Sequence, residues 1–113
     1  MRDCVFCRII NKEEDAEIVY ENDYVISFYT ITPTTDVHVL VVPKKHIVNI
    51  LDITDKDHIY ITEIHKAFIH ISKLLDIDDS GFRIVTNTGK HGQQEVMHLH
   101  YHLIGGRQLK WEM

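Results

Sequence analysis

Three histidines recur at every second position in His98-Leu99-His100-Tyr101-His102-Leu103-Ile104, a stretch closed by Gly105-Gly106-Arg107. On a strand, alternate side chains share a face, so the three imidazoles would stand in one row while Leu99, Tyr101 and Leu103 face the other side as core. Near neutral pH an imidazole serves as nucleophile, proton carrier or metal ligand, and three on a rigid support allow these roles to be divided. Nine histidines in 113 residues would give this spacing by chance in roughly one such sequence in twenty, so the rest of the chain has to decide what the row means.

A second group with chemistry is Cys4-x-x-Cys7. In a reducing compartment this spacing reads as two thiols, a redox pair or half a zinc site rather than a structural disulfide, and two ligands alone do not close a structural metal site. His38 sits inside an apolar run, where burial rules alone favour a satisfied core histidine. His58 and His65 lie off the apolar stripe of their helix and read as solvated surface residues.

The elements that must position these groups are legible from pattern. Val5, Phe6, Ile9 and Ile10 make a short amphipathic helical segment that carries both cysteines. Residues 16–20 and 24–29 are β-rich runs separated by Glu21-Asn22-Asp23, a hairpin pattern. Pro33 ends that pattern in a loop. Residues 37–42 are almost continuously apolar and predict a central strand buried on both faces, stopped by Pro43; residues 47–51 give no decisive pattern. Thr54, followed by Asp55 and Asp57, has the form of a helix N-cap with acidic residues in the first turn. Behind it Ile61, Ile64, Phe68, Ile71 and Leu75 recur at spacings of three and four, which predicts one long helix over about 55–75. A further strand follows at 82–87, then a polar loop with Gly89 and Gly92, then the histidine strand. Strands grouped around one long helix and a short N-terminal helix indicate an α+β domain with a mainly antiparallel five-stranded sheet, spanning 1–113 as a single unit.

The totals agree. A chain of 113 residues, 44% apolar and 26% charged, suits one globular domain without disulfides. A formal charge of -5 counts against a nucleic-acid binder, although backbone N–H groups and a few histidines can still hold a small phosphate. No apolar run has the length of a signal peptide or of a membrane span, so a cytoplasmic location without membrane partners is expected.

Taken together, the histidine stretch resembles the His-x-His-x-His signature of the histidine-triad (HIT) superfamily. Cys4-Val5-Phe6-Cys7-Arg8-Ile9-Ile10, the run His38-Val39-Leu40-Val41-Val42-Pro43-Lys44-Lys45-His46, Asn87 with Gly89, and Gly105-Gly106-Arg107-Gln108 are similar, in matching order, to the Hint branch. The resemblance implies a homodimeric α+β enzyme that releases a nucleoside monophosphate, AMP or GMP, from phosphoramidates and related adducts. It implies His100 as the nucleophile that forms a nucleotidyl-histidine, His102 as the group that contacts phosphate oxygen and helps protonate the leaving group, and His38 as a residue behind the nucleophile that orients its ring. It further implies a structural zinc ion on Cys4, Cys7, His46 and His98, with no catalytic metal. The expected homodimer draws on Ile59, Tyr60 and Phe68 as partner surface and on Trp111 as a residue reaching a neighbouring site.

This assignment is chemically coherent. A neutral imidazole attacks phosphorus well near pH 7, and its phosphoramidate is labile enough to turn over. Charge on the phosphoryl oxygens needs donors already in place, which the 89–96 loop would supply from its backbone around Gln94, Glu95 and Val96, with Asn87 adding a side-chain donor. Phe6, Ile10, Phe28 and Ile31 suggest a flat base among apolar side chains. Two departures from the branch stand out: Gln93 where glycine is common, and Thr30 where an acidic residue usually contacts the ribose. Two other readings compete. Histidines two apart can serve a metal-dependent hydrolase, although no carboxylate accompanies them, and the same pocket can serve a non-catalytic nucleotide-binding module.

Overall fold

A computed structural model describes residues 3–111; the first two and last two residues of the expected 1–113 domain lie outside the described residues. The element order is α1 (Val5–Ile10), β1 (Ile18–Glu21), β2 (Val25–Tyr29), β3 (Val37–Pro43), two 3₁₀ turns, α2 (His58–Leu74), β4 (Phe82–Val85) and β5 (Tyr101–Gly105). The five strands form one sheet in the order β1-β2-β3-β5-β4, and every pairing is antiparallel. The expected α+β architecture is therefore present.

β3 is the central strand, and six of its seven residues are buried, as its apolar run requires. Its residues divide by parity. Val39 and Val41 join Val25 and Leu103 in the core under α2, which contributes Ile64, Ala67, Phe68 and Ile71. Leu40 and Val42 join Ile26 and Phe28 on the opposite face, which α1 covers with Phe6 and Ile9. His38, two residues from Leu40, belongs to this second face. So do His100 and His102, because Leu103 and the half-buried Tyr101 face α2. The sheet thus keeps an aliphatic face for the long helix and puts its imidazoles on the face of the short one. Each fully buried aliphatic side chain of the first layer stabilises the fold by about 1.5–3 kcal/mol.

Local signals explain the element ends. Asn22 Oδ1 accepts the N–H groups of Tyr24 and Val25 at 2.8 and 3.0 Å, closing the β1–β2 hairpin with an Asx turn. The Thr54 cap is present as a capping box in which Asp57 plays the acidic partner, but the first turn it starts, Asp55–Asp57, is 3₁₀ and the α-helix begins at His58. Asp57 is buried and also receives Lys45. The 47–51 segment, whose pattern is not decisive, leads into a 3₁₀ turn, Ile50–Asp52, capped by Asn49.

Three expectations need correction. β4 ends at Val85 rather than at 87, since Thr86 turns its hydroxyl to the carbonyl of His100 at 2.8 Å. β5 starts only at Tyr101, so His98 and His100 lie on the approach to the strand. Phe68 is packed into the chain's own core and offers no surface to a partner, whereas Ile59 and Tyr60 are half-buried and Tyr60 meets Tyr24 edge-on. His58 and His65 are exposed, as expected. Among the described residues no helix is long and apolar enough to cross a membrane.

Candidate functional site

The row of three imidazoles resolves into two separate sites. His98 is fully buried and lies with Cys4, Cys7 and His46 in a cluster whose ligand atoms all fall within 4.8 Å of one another. His100 and His102 instead share the second face of the sheet with His38.

In the first site, His98 Nδ1 is 3.3 Å from Cys4 Sγ, 3.6 Å from Cys7 Sγ and 3.1 Å from His46 Nδ1, and Cys7 Sγ is 3.2 Å from His46 Nδ1. Four ligands at zinc bond lengths of 2.0–2.3 Å stand roughly 3.3–3.8 Å apart around a tetrahedron, so this set fits one ion with little adjustment. The supporting bond is also right: His98 Nε2 lies 2.9 Å from the carbonyl of Pro43, so Nε2 carries the proton and Nδ1 turns its lone pair into the cluster. Two thiols and two imidazoles are a zinc donor set, and four protein ligands leave no open position for substrate.

In the second site, the tautomers follow from the hydrogen bonds. His100 Nδ1 is 2.8 Å from the carbonyl of His98; a carbonyl only accepts, so the proton is on Nδ1 and Nε2 keeps a bare lone pair, the form a nucleophile needs. The backbone N–H of Thr34 donates to His38 Nδ1 at 3.0 Å, which places the His38 proton on Nε2. That proton is donated to His102 Nδ1 at 2.8 Å, which in turn places the His102 proton on Nε2. The arrangement therefore presents one nucleophilic Nε2, on His100, and one donating Nε2–H, on His102.

Register makes the His38–His102 bond possible. Leu40 stands opposite His102 and His38 opposite Ile104, so His38 and His102 are diagonal neighbours on one face, within reach of long side chains. His38 therefore orients His102; the expected placement behind the nucleophile is corrected, because the carbonyl of His98 orients His100. All three rings favour neutrality. Burial pushes His102 down to about 4, helped by the neighbouring His100 and His38. Burial also lowers His38. It lowers His100 against the opposing pull of the His98 carbonyl and the Glu95 charge.

The loop before the triad is built by its side chains. Gln94, buried, accepts the N–H of Gly89 at 3.0 Å and the amide of Asn49 at 3.3 Å, and donates to the carbonyls of Val48 and Val96 at 2.7 and 3.1 Å. Asn87 donates to the carbonyl of Gly92 at 2.8 Å. Both residues brace the loop from within, where sequence reading expected Asn87 to face substrate. Gln93 adopts φ 64°, so the departure from glycine retains a left-handed backbone.

The apolar candidates separate as well. Phe6 and Phe28 are buried and meet edge to face at 5.6 Å, and Phe6 also stands edge-on to His100 at 5.1 Å. They form a floor under His100 rather than an open stacking face. Ile10 and Val96 are half-buried beside them, Glu95 is exposed, and Thr30 is half-buried with its hydroxyl accepting from the N–H of Thr32 at 3.3 Å. Ile31 is 96% exposed, so the structure does not bring it into a pocket. Sequence reading missed Thr34 and Asn49; neither has a motif, and only their positions facing His38 and Gln94 reveal them.

Comparison with known proteins places this geometry. A 14 kDa zinc-binding protein of Brassica juncea is 42% identical over 113 residues, covering 96% of this chain and 97% of its own length. The solved structure of a histidine triad protein from Clostridium difficile superposes with a TM-score of 0.95 at 42% identity, over 100% of this chain and 98% of that one. A HIT family hydrolase from Clostridium thermocellum gives 0.95 at 40% identity, over 100% and 98%. The HIT domain model itself matches residues 11–109, and the chain belongs to the HIT family.

Proposed function

We propose that the chain is a cytosolic nucleotide hydrolase that cleaves nucleoside phosphoramidates, purine nucleotides first, through a nucleotidyl-His100 intermediate. The observation that carries this reading is the tautomer set: an Nδ1–H of His100 tied to the His98 carbonyl at 2.8 Å beside an Nε2–H on His102 fixed by His38 at 2.8 Å. His100 Nε2 attacks the α-phosphorus, and a P–N bond forms as the bond to the leaving amine breaks. His102 Nε2–H contacts the phosphoryl oxygen and then the leaving nitrogen. Water next cleaves the phosphohistidine, so that one hard displacement becomes two easier ones. The name of the C. thermocellum relative, a hydrolase, supports the reaction class.

Cys4, Cys7, His46 and His98 would hold a zinc ion, as the name of the B. juncea relative suggests; when bound, it would pin α1 to the base of the triad segment. A homodimer completes the proposal. β4 is an edge strand, and exposed Phe82, Ile69, Leu74 and Trp111 offer apolar area to a second copy. Light scattering at micromolar concentration should give twice the chain mass, and a clean monomer would reject the dimer.

Turnover of adenosine and guanosine phosphoramidates, dinucleoside polyphosphates and nucleotide sugars, each with and without chelator, tests the function. Release of AMP or GMP from the phosphoramidates, insensitive to chelator over the initial rate and lost in His100→Ala, is expected. Binding without product would leave a nucleotide-binding module instead, and immediate loss on chelation would favour a metal-dependent hydrolase.

A further inference from the structure

We propose that the Thr34 hydroxyl is the solvent end of a proton wire that reaches the leaving group through His38 and His102. The proposal rests on the phosphoryl-transfer reading above and concerns where its proton comes from.

The need for a wire follows from the tautomers. His102 is held neutral with its proton on Nε2. If it gave that proton to a departing amine unaided it would become an imidazolate, far too basic to persist in water, so Nδ1 must gain a proton as Nε2 loses one. His38 Nε2–H is in place to supply it at 2.8 Å. His38 then has the same requirement at its own Nδ1.

Two groups of Thr34 face that atom, the backbone N–H at 3.0 Å and Oγ1 at 3.3 Å. The amide fixes the resting tautomer but cannot release its proton at neutral pH. The hydroxyl is no stronger an acid, but its oxygen can take a proton from solvent as it passes its own to His38, and Thr34 is exposed whereas His38 is buried. In the chain His102–His38–Thr34, the residue that sets the His38 tautomer is thus also the exposed one, on the far side of buried His38 from half-buried His102.

The step balances. As His100 Nε2 bonds to phosphorus and the P–N bond to the amine breaks, the leaving nitrogen takes the His102 Nε2 proton. His102 Nδ1 takes the His38 Nε2 proton, His38 Nδ1 takes the Thr34 hydroxyl proton, and Thr34 Oγ1 takes one from hydronium or a buffer acid. Both rings end neutral in the opposite tautomer. When water attacks the phosphohistidine, its proton enters at His102 Nε2, the chain runs backward and one proton leaves to solvent at Thr34.

The test compares Thr34→Val, which keeps the amide and deletes the hydroxyl, with Thr34→Ser, which keeps both. The single-turnover rate of nucleotidyl transfer is read on an adenosine phosphoramidate of a basic amine, whose leaving group needs a proton, and on an adenosine 4-nitrophenyl phosphate, whose leaving group departs as an anion. Thr34→Val should lose at least tenfold more on the amine substrate than on the nitrophenyl ester, and Thr34→Ser should recover to within about threefold of wild type. In mixtures of light and heavy water the wild-type amine reaction should show a curved proton inventory that becomes linear in Thr34→Val. Equal loss on both substrates would show a merely structural role, and loss on neither would show that the hydroxyl is not used; either overturns the wire while leaving the hydrolase standing. Absence of wild-type turnover on both substrates would remove the proposed function itself, and the wire with it.

Discussion

The carbonyl of His98 accepts the Nδ1–H of His100 at 2.8 Å, while the ring of the same His98 lies among Cys4, Cys7 and His46. One buried residue therefore joins the cysteine cluster to His100 through a single peptide group. Whatever fixes the His98 ring also fixes the acceptor that selects the His100 tautomer.

If the cluster binds zinc, protein purified without chelator should carry close to one equivalent per chain, and less than about a tenth would reject the assignment. Structural sites contribute their binding energy to folding. Chelation should accordingly lower Tm more than it lowers the initial rate. An abolished rate at unchanged Tm would point to a catalytic metal instead.

Stability should fall on mild acidification. His102 sits at about 4 in the fold against an ordinary 6.5, and His38 and His100 are lowered too. Between those values the unfolded chain binds more protons than the folded one, so stability is full above about 6.5 and is lost as pH falls toward 4. Asp57 and Glu21 are also lowered, from ordinary values of 3.8 and 4.5, and add their loss mainly at the acid end. Urea midpoints between pH 7.5 and 5 read the histidine part. A midpoint that is flat or rises on acidification would contradict the neutral triad.

The loop makes opposite demands at two adjacent positions. Gln93 holds φ 64°, which costs an L residue roughly 1 kcal/mol that glycine avoids, so Gln93→Gly should raise unfolding stability by about 0.5–1 kcal/mol. A Cβ at Gly92 would lie 2.4 Å from the backbone oxygen of Thr88, and Gly92→Ala should disrupt the loop that Gln94 and Asn87 brace. Equilibrium urea unfolding of both variants checks the pair, and a destabilised Gln93→Gly would refute the strain argument.

Much of this was readable in the sequence because it rests on period and on punctuation. The apolar run around Val39 and Val41 marked the central strand, the stripe through Ile64, Phe68 and Ile71 marked α2, and Thr54 marked the 3₁₀ turn that leads into it. Parity also put Leu103 in the core and His102 on the opposite face. What pattern does not carry is what a ring nitrogen touches. The even spacing of His98, His100 and His102 suggested one row, but β5 begins at Tyr101, and the backbone before it is free to turn His98 into the cysteine cluster. The partner of His38 depended on cross-strand register with β5, a non-local quantity. Ile31 looked like a pocket residue by type alone and stands in solvent, and Thr34 carried no signal until His38 was seen facing it.

The central claim is that His100 carries the nucleotide covalently. Protein mixed with adenosine phosphoramidate and quenched under conditions that preserve phosphohistidine should gain the mass of one adenylyl group, localised to the peptide containing His100. His100→Ala should show no such gain and should lose several powers of ten in turnover, as for other catalytic nucleophiles. A fully active His100→Ala variant, or an adduct on another residue, would contradict the account.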